Sequence, residues 1–119
     1  MLSKLNILIV DDNPAVRTMT RFYLQDIANE IRECEDGADA FTAYAEFQPD
    51  WVLMDWQMKR LDGLAATREI KLGFPNAKIV MVTQHNDAEL RTAADEAGVC
   101  GFISKDDLMS LRELLERQN

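Results

Sequence analysis

Two adjacent carboxylates, Asp11 and Asp12, close the run "NILIVDDNP". At roughly 4 Å, two such charges repel by about 4 kcal/mol at an effective dielectric of 20. Part of the pair has a plain use, since Asn13 or Asp12 could cap a helix opening at Pro14. One cap needs one acid, so the second asks for chemistry. Three more polar residues end apolar runs in the same way: Asp55 after "VLM", Thr83 after "IVMV" and Lys105 after "GFIS". Alone, each reads as an ordinary strand-end or surface residue. As a set they suit carboxylate phosphorylation, in which an aspartate oxygen is the nucleophile. An anionic phosphoryl donor is repelled by these acids unless a cation lies between, and Mg2+ accepts one or two carboxylates together with phosphate oxygens and water. Lys105 would neutralise phosphoryl charge, and the Thr83 hydroxyl would hydrogen-bond another oxygen.

For these residues to meet, the apolar runs must lie side by side. LNILIV (5–10) and DWVLMD (50–55) are almost wholly apolar, as strands buried on both faces are. EIRECE (30–35) alternates like an edge strand, and AKIVMVT (77–83) and CGFIS (100–104) complete a set of five. Helical patterns lie between them. Residues 14–28 place Val16, Met19, Tyr23 and Ile27 on one side, and 38–47, 63–71, 87–98 and 106–118 follow, the last with Leu108, Leu111, Leu114 and Leu115 inward. Asp36-Gly37 marks a turn. Alternating strands and helices predict an α/β three-layer sandwich, a flavodoxin-like (βα)5 fold with a parallel sheet in the order 2-1-3-4-5. Ligands of such sheets bind beyond the carboxyl ends of the strands, where all five polar residues would stand.

The 119 residues are expected to form a single domain, 1–119. The formal charge of −8 opposes direct nucleic-acid binding, which asks for a basic face. No apolar run approaches the ~20 residues of a membrane span, and no signal-peptide pattern opens the chain, so a cytoplasmic location is expected. His85 is the only histidine, which leaves Ser-His-Asp chemistry and zinc poorly supplied. Cys34 and Cys100 lack metal-ligand spacing and read as small core residues.

The chain resembles a response-regulator receiver domain over essentially its whole length. The matching stretches are "IVDDN" (9–13), "VLMDWQMKRLDG" (52–63), "IVMVT" (79–83) and "GFISK" (101–105). The resemblance is chemotaxis-receiver-like, with "FPNAKIVMVT" similar to receivers of the LuxR/NarL group. It implies that Asp55 is the phosphoacceptor, that Asp11, Asp12, Asp55 and the backbone carbonyl of Gln57 hold Mg2+, and that Thr83 and Lys105 sense the phosphoryl group. Phe102 becomes an aromatic switch residue. The implied partners are a histidine kinase or phosphotransfer protein, and a downstream protein or the chain's own effector domain. The latter would meet the face of helix 4, strand 5 and helix 5, around Leu90, Phe102 and the final helix, and a phosphorylation-dependent dimer would use the same face. Such a domain is a signalling module that assists only its own phosphotransfer and dephosphorylation.

Three departures stand out. Lys59 replaces a frequent proline, Asp106 follows Lys105 where a cis proline is frequent, and Gln84 is bulky where a small residue normally follows the switch threonine. Gln57, Gln84 and His85 would then rim the phosphoryl group. A flavodoxin is disfavoured because "DDNPAV" offers acids where a phosphate loop needs donors, and a haloacid-dehalogenase-like phosphatase because Asn13 stands where its second acid belongs. The receiver part of a DNA-binding regulator and a degenerate receiver acting without phosphate are the remaining alternatives.

Overall fold

A computed structural model describes residues 4–85 and 87–117. Its five strands, Leu5–Val10 (β1), Ala28–Cys34 (β2), Trp51–Met54 (β3), Ile79–Thr83 (β4) and Gly101–Ser104 (β5), form one sheet in the order β2-β1-β3-β4-β5. Every pairing is parallel. The connecting helices are Pro14–Leu24 (α1), Ala40–Phe47 (α2), Gly63–Gly73 (α3), Ala88–Ala97 (α4) and Met109–Arg117 (α5). The expected flavodoxin-like order is the one observed.

Strand side chains alternate between faces, and the core divides accordingly. Ile7, Ile9, Trp51, Leu53, Val80 and Val82 pack with Leu24 of α1 and Leu111 and Leu115 of α5. Leu8, Val10, Val52, Met54, Ile79 and Met81 point the other way, onto Ala40 and Tyr44 of α2 and Ala66 and Ile70 of α3. Two covered faces explain why the central runs are continuously apolar. Among the described residues, no helix is long and apolar enough to cross a membrane, and no peptide bond is cis.

Several boundaries differ from the sequence expectation. Helix 1 ends at Leu24 rather than Ala28, because the Ile27 carbonyl accepts the Leu5 N–H at 2.9 Å. That bond draws the chain into the sheet, and β2 begins at Ala28. Met19 then faces solvent at 53% exposure, while Thr20 and Leu24 turn inward. Short 3-10 turns at Gly37–Asp39 and Lys105–Asp107 precede α2 and α5, where continuous helices were expected. Cys34 is buried as expected, but Cys100 is exposed, because it precedes β5 rather than lying in it.

Candidate functional site

The five polar residues end strands that neighbour one another. Val10, Met54 and Met81 are in register across β1, β3 and β4, so Asp11 and Asp55 leave the sheet side by side. The Asp11 N–H donates to the Cys34 carbonyl at 3.1 Å and the Asp55 N–H to the Val10 carbonyl at 2.9 Å, which extends the ladder by one residue. Thr83 pairs with Ser104, and Lys105 follows directly.

Asp11 and Asp55 are 3% and 5% exposed. Lys105 Nζ lies 3.1 Å from Asp11 Oδ2 and 3.1 Å from Asp55 Oδ1, which supplies the local charge that a lysine at a helix start requires. Asp12 is exposed, yet one oxygen from each of Asp11, Asp12 and Asp55 falls within a 4.8 Å cluster. Asn13, not Asp12, caps α1, its Oδ1 accepting the Ala15 and Val16 N–H groups. Asp12 is thereby left over for the site.

Electrostatics sharpen the picture. Burial, then the Asp11 carboxylate, push the Asp55 carboxyl up to about 6, against the pull of Lys105 and the Trp56 N–H. Burial works against the charge of Lys105, but Asp11 and Asp55 outweigh it and hold its pKa above the ordinary lysine value. At neutral pH the site therefore holds an ionised Asp55 carboxylate beside a fixed ammonium. All-oxygen, anionic donors clustered at one mouth are the set a hard divalent cation takes, so Asp11, Asp12 and Asp55 fit Mg2+.

Thr83 is buried, and its Oγ1 accepts the His85 N–H at 3.1 Å, leaving its O–H to donate elsewhere. His85 Nε2 lies 3.1 Å from Gln57 Oε1, and its ring meets Trp56 edge-on at 5.0 Å. These contacts bridge the loops after β3 and β4. Gln57 and Gln84 are both exposed. Phe102 is half-buried against the α2–α3 side of the core, with the Arg91 guanidinium 4.7 Å over its ring. Leu90, expected on a partner surface, is 4% exposed. It faces the core, and the outer side of α4 presents Glu89, Thr92 and Glu96 instead.

Three supporting residues escaped the sequence reading. Asp36 is buried, and its carboxylate accepts the N–H groups of Ala38 (2.9 Å), Arg60 (2.9 Å) and Leu61 (3.0 Å). It thus ties the turn after β2 to the loop that follows Asp55. The "DG" signal had shown only the turn. Gly63 closes that loop, its N–H donating to the Trp56 carbonyl at 2.7 Å, and a Cβ there would lie 1.9 Å from the Asp55 carbonyl oxygen. Arg17 donates to the Asp11 carbonyl at 2.7 Å. Its place one turn beyond the Asn13 cap was the available signal.

The fold and site together define a doubly wound α/β protein whose strand ends gather acids around one lysine. A family model described as the response regulator receiver domain matches residues 7–117. The chain is 37% identical over 99 residues to the chemotaxis protein CheY of Halobacterium salinarum, covering 83% of this chain and 82% of that protein. It is 32% identical over 103 residues to the transcriptional activator protein ExaE of Pseudomonas putida, covering 85% of this chain and 48% of that protein. The chain spans about half the length of several curated relatives it matches. Among solved structures, a LuxR-family two-component response regulator from Aurantimonas sp. superposes with a TM-score of 0.91 at 31% identity, over 98% of this chain and 85% of that one. The receiver domain of the histidine kinase CKI1 from Arabidopsis thaliana, complexed with Mg2+, gives a TM-score of 0.84 at 25% identity, over 99% and 94% of the two chains. The chain belongs to the response-regulator receiver domain family, the signalling domains of two-component systems.

Proposed function

We propose that residues 1–119 act as one receiver domain in which Asp55 accepts a phosphoryl group from a phosphohistidine of a histidine kinase or phosphotransfer protein. A carboxylate oxygen of Asp55 attacks phosphorus, the P–N bond breaks, and the imidazole nitrogen leaves with the electron pair and takes up a proton. An acyl phosphate remains. The observation that carries this reading is the Lys105 ammonium shared between Asp55 and Asp11 at 3.1 Å each. Lys105 is placed to follow the incoming phosphoryl charge, and the Thr83 hydroxyl to donate to another oxygen.

Asp11, Asp12 and Asp55, with the Gln57 backbone carbonyl, would hold Mg2+; the Arabidopsis relative, a receiver domain complexed with Mg2+, supports this. When bound, Mg2+ neutralises the acidic mouth and polarises phosphoryl oxygens. The presence of all five side chains supports a phosphate-dependent receiver over a degenerate one. Movement of Thr83 toward the phosphoryl group would then alter the space open to Phe102 and the surface around β5, where a downstream protein, an effector domain or a second copy docks. The charge of −8 favours protein partners over direct nucleic-acid contact, and the setting proposed is cytoplasmic.

The reading is tested by labelling with a phosphorylated donor protein, and with acetyl phosphate, in Mg2+. Wild type should gain a hydroxylamine-sensitive label that chelation prevents, and Asp55→Asn and Asp12→Ala should not. Undiminished labelling of Asp55→Asn would place the acceptor elsewhere.

A further inference from the structure

Asp11 is engaged at each of its polar atoms. Its N–H reaches Cys34, its Oδ1 accepts the Asn13 N–H at 2.8 Å, and its Oδ2 lies 3.1 Å from Lys105. The carbonyl accepts Nη1–H of Arg17 at 2.7 Å. That arginine side chain is only 12% exposed; its Nε lies 2.7 Å from Glu33 Oε1 and its Nη2 4.0 Å from Glu35 Oε1. A guanidinium holds its donors in one rigid plane, so the contact with Glu33 fixes the aim of Nη1. The Asp11 carbonyl and the Asp12 N–H belong to one planar peptide. A clamp on that carbonyl therefore sets where the Asp12 side chain is presented. The Asn13 N–H on Asp11 Oδ1 holds the peptide on the far side. The Asp12 side chain, exposed, makes no hydrogen bond or ion pair of its own with any described residue, so its presentation depends on these two backbone restraints.

We propose that Arg17 is a positioning residue for the divalent-cation site, locking the Asp11–Asp12 peptide so that the Asp12 carboxylate joins those of Asp11 and Asp55. The proposal rests on the metal-site reading above. Its bland competitor is that Arg17 only ties α1 to β2. Arg21 separates the two. It contacts the same Glu33 and donates to the Ile31 carbonyl at 3.0 Å, but has no bond to Asp11. Both arginines lose a charge that Glu33 balances, so comparing them cancels most of the change in field.

The experiment is a Mg2+ titration of the phosphate-free protein followed by tryptophan fluorescence, since Trp56 adjoins Asp55. Circular dichroism checks the fold of each variant. Wild type should saturate, Asp12→Ala should lose most of the response, and Arg17→Met should bind about tenfold more weakly, the scale expected when a group orienting a ligand is removed. Arg21→Met should stay close to wild type. Equal Kd for wild type and Arg17→Met, or equal losses in Arg17→Met and Arg21→Met, would overturn the positioning role while leaving the metal site intact. Absence of a wild-type response overturns the metal site and this proposal together. Should Arg17→Met unfold, the charge-keeping pair serves: Arg17→Lys should weaken Mg2+ more than Arg21→Lys, and equal affinities overturn the role.

Discussion

Lys105 Nζ stands 3.1 Å from Asp55 Oδ1, a bond made across the sheet between the residues that directly follow β3 and β5. The same ammonium meets Asp11, so two carboxylates share one cation. Burial and Asp11 leave the Asp55 carboxyl at about 6, against about 3.9 in an unfolded chain. Between those values the native state binds more protons than the unfolded state, so this group's contribution to stability falls as pH rises from about 4 to about 6. In metal-free protein, Asp55→Asn should therefore show a flatter stability profile over that window and should unfold at higher urea at pH 7. Parallel wild-type and variant profiles would contradict the assignment.

Asp36 carries the opposite sign. Burial disfavours its charge, but the N–H groups of Ala38, Arg60 and Leu61 outweigh that and hold its carboxyl below the usual range. Its contribution is present above the unfolded aspartate value and is lost as pH falls through the lowered native value. Asp36→Ala should cost about 1–3 kcal/mol at pH 7, the penalty of buried donors left unpaired. The loss should shrink in acid, as read by denaturant unfolding at stepped pH.

Gly63 bears directly on the backbone of Asp55. Since a Cβ would sit 1.9 Å from the Asp55 carbonyl oxygen, Gly63→Ala must displace backbone rather than a flexible side chain. We expect a loss of at least about 2 kcal/mol, and slower acetyl-phosphate labelling in the fraction that stays folded. Labelling and melting temperature both at wild-type values would show that the loop after Asp55 is not seated as described.

His85 and Gln57, exposed like Gln84, bridge the two loops beside the site at 3.1 Å, and Gln84 is not part of that bridge. His85→Ala should raise acetyl-phosphate labelling or phosphate loss severalfold by opening the approach to Asp55. Gln84→Ala separates simple crowding from bridging, and its rates should change less. A larger effect from Gln84→Ala would mean that bulk after Thr83, not the bridge, limits access.

Much of this was legible because the physics was local. Ile7 to Val10 and Val52 to Met54 are continuously apolar because both faces of the sheet are covered, and polar residues ending those runs had to meet at one edge. What stayed hidden depended on distant partners. Asp26, Ile27 and Ala28 suit a helix, but the bond from Leu5 to Ile27 turns the chain there, and β2 begins at Ala28. Leu90 joins the expected partner face only through the resemblance, yet it is the one large apolar side chain of α4 and is buried. Cys100 follows Val99 in an apolar-looking run but falls just outside β5. Asp36 and Arg17 act on backbone groups whose positions only the fold sets.

Whether Asp55 is the phosphoacceptor can be read by chemical mapping. Protein phosphorylated in Mg2+ is reduced with borohydride, which converts an aspartyl phosphate to homoserine, and is then digested and sequenced by mass spectrometry. Homoserine is expected at position 55, in the peptide containing Trp56 and Gln57, and only after exposure to the donor. Homoserine at position 11 or 12 instead, or phosphorylated protein with no reduction product at position 55, would contradict the assignment of Asp55.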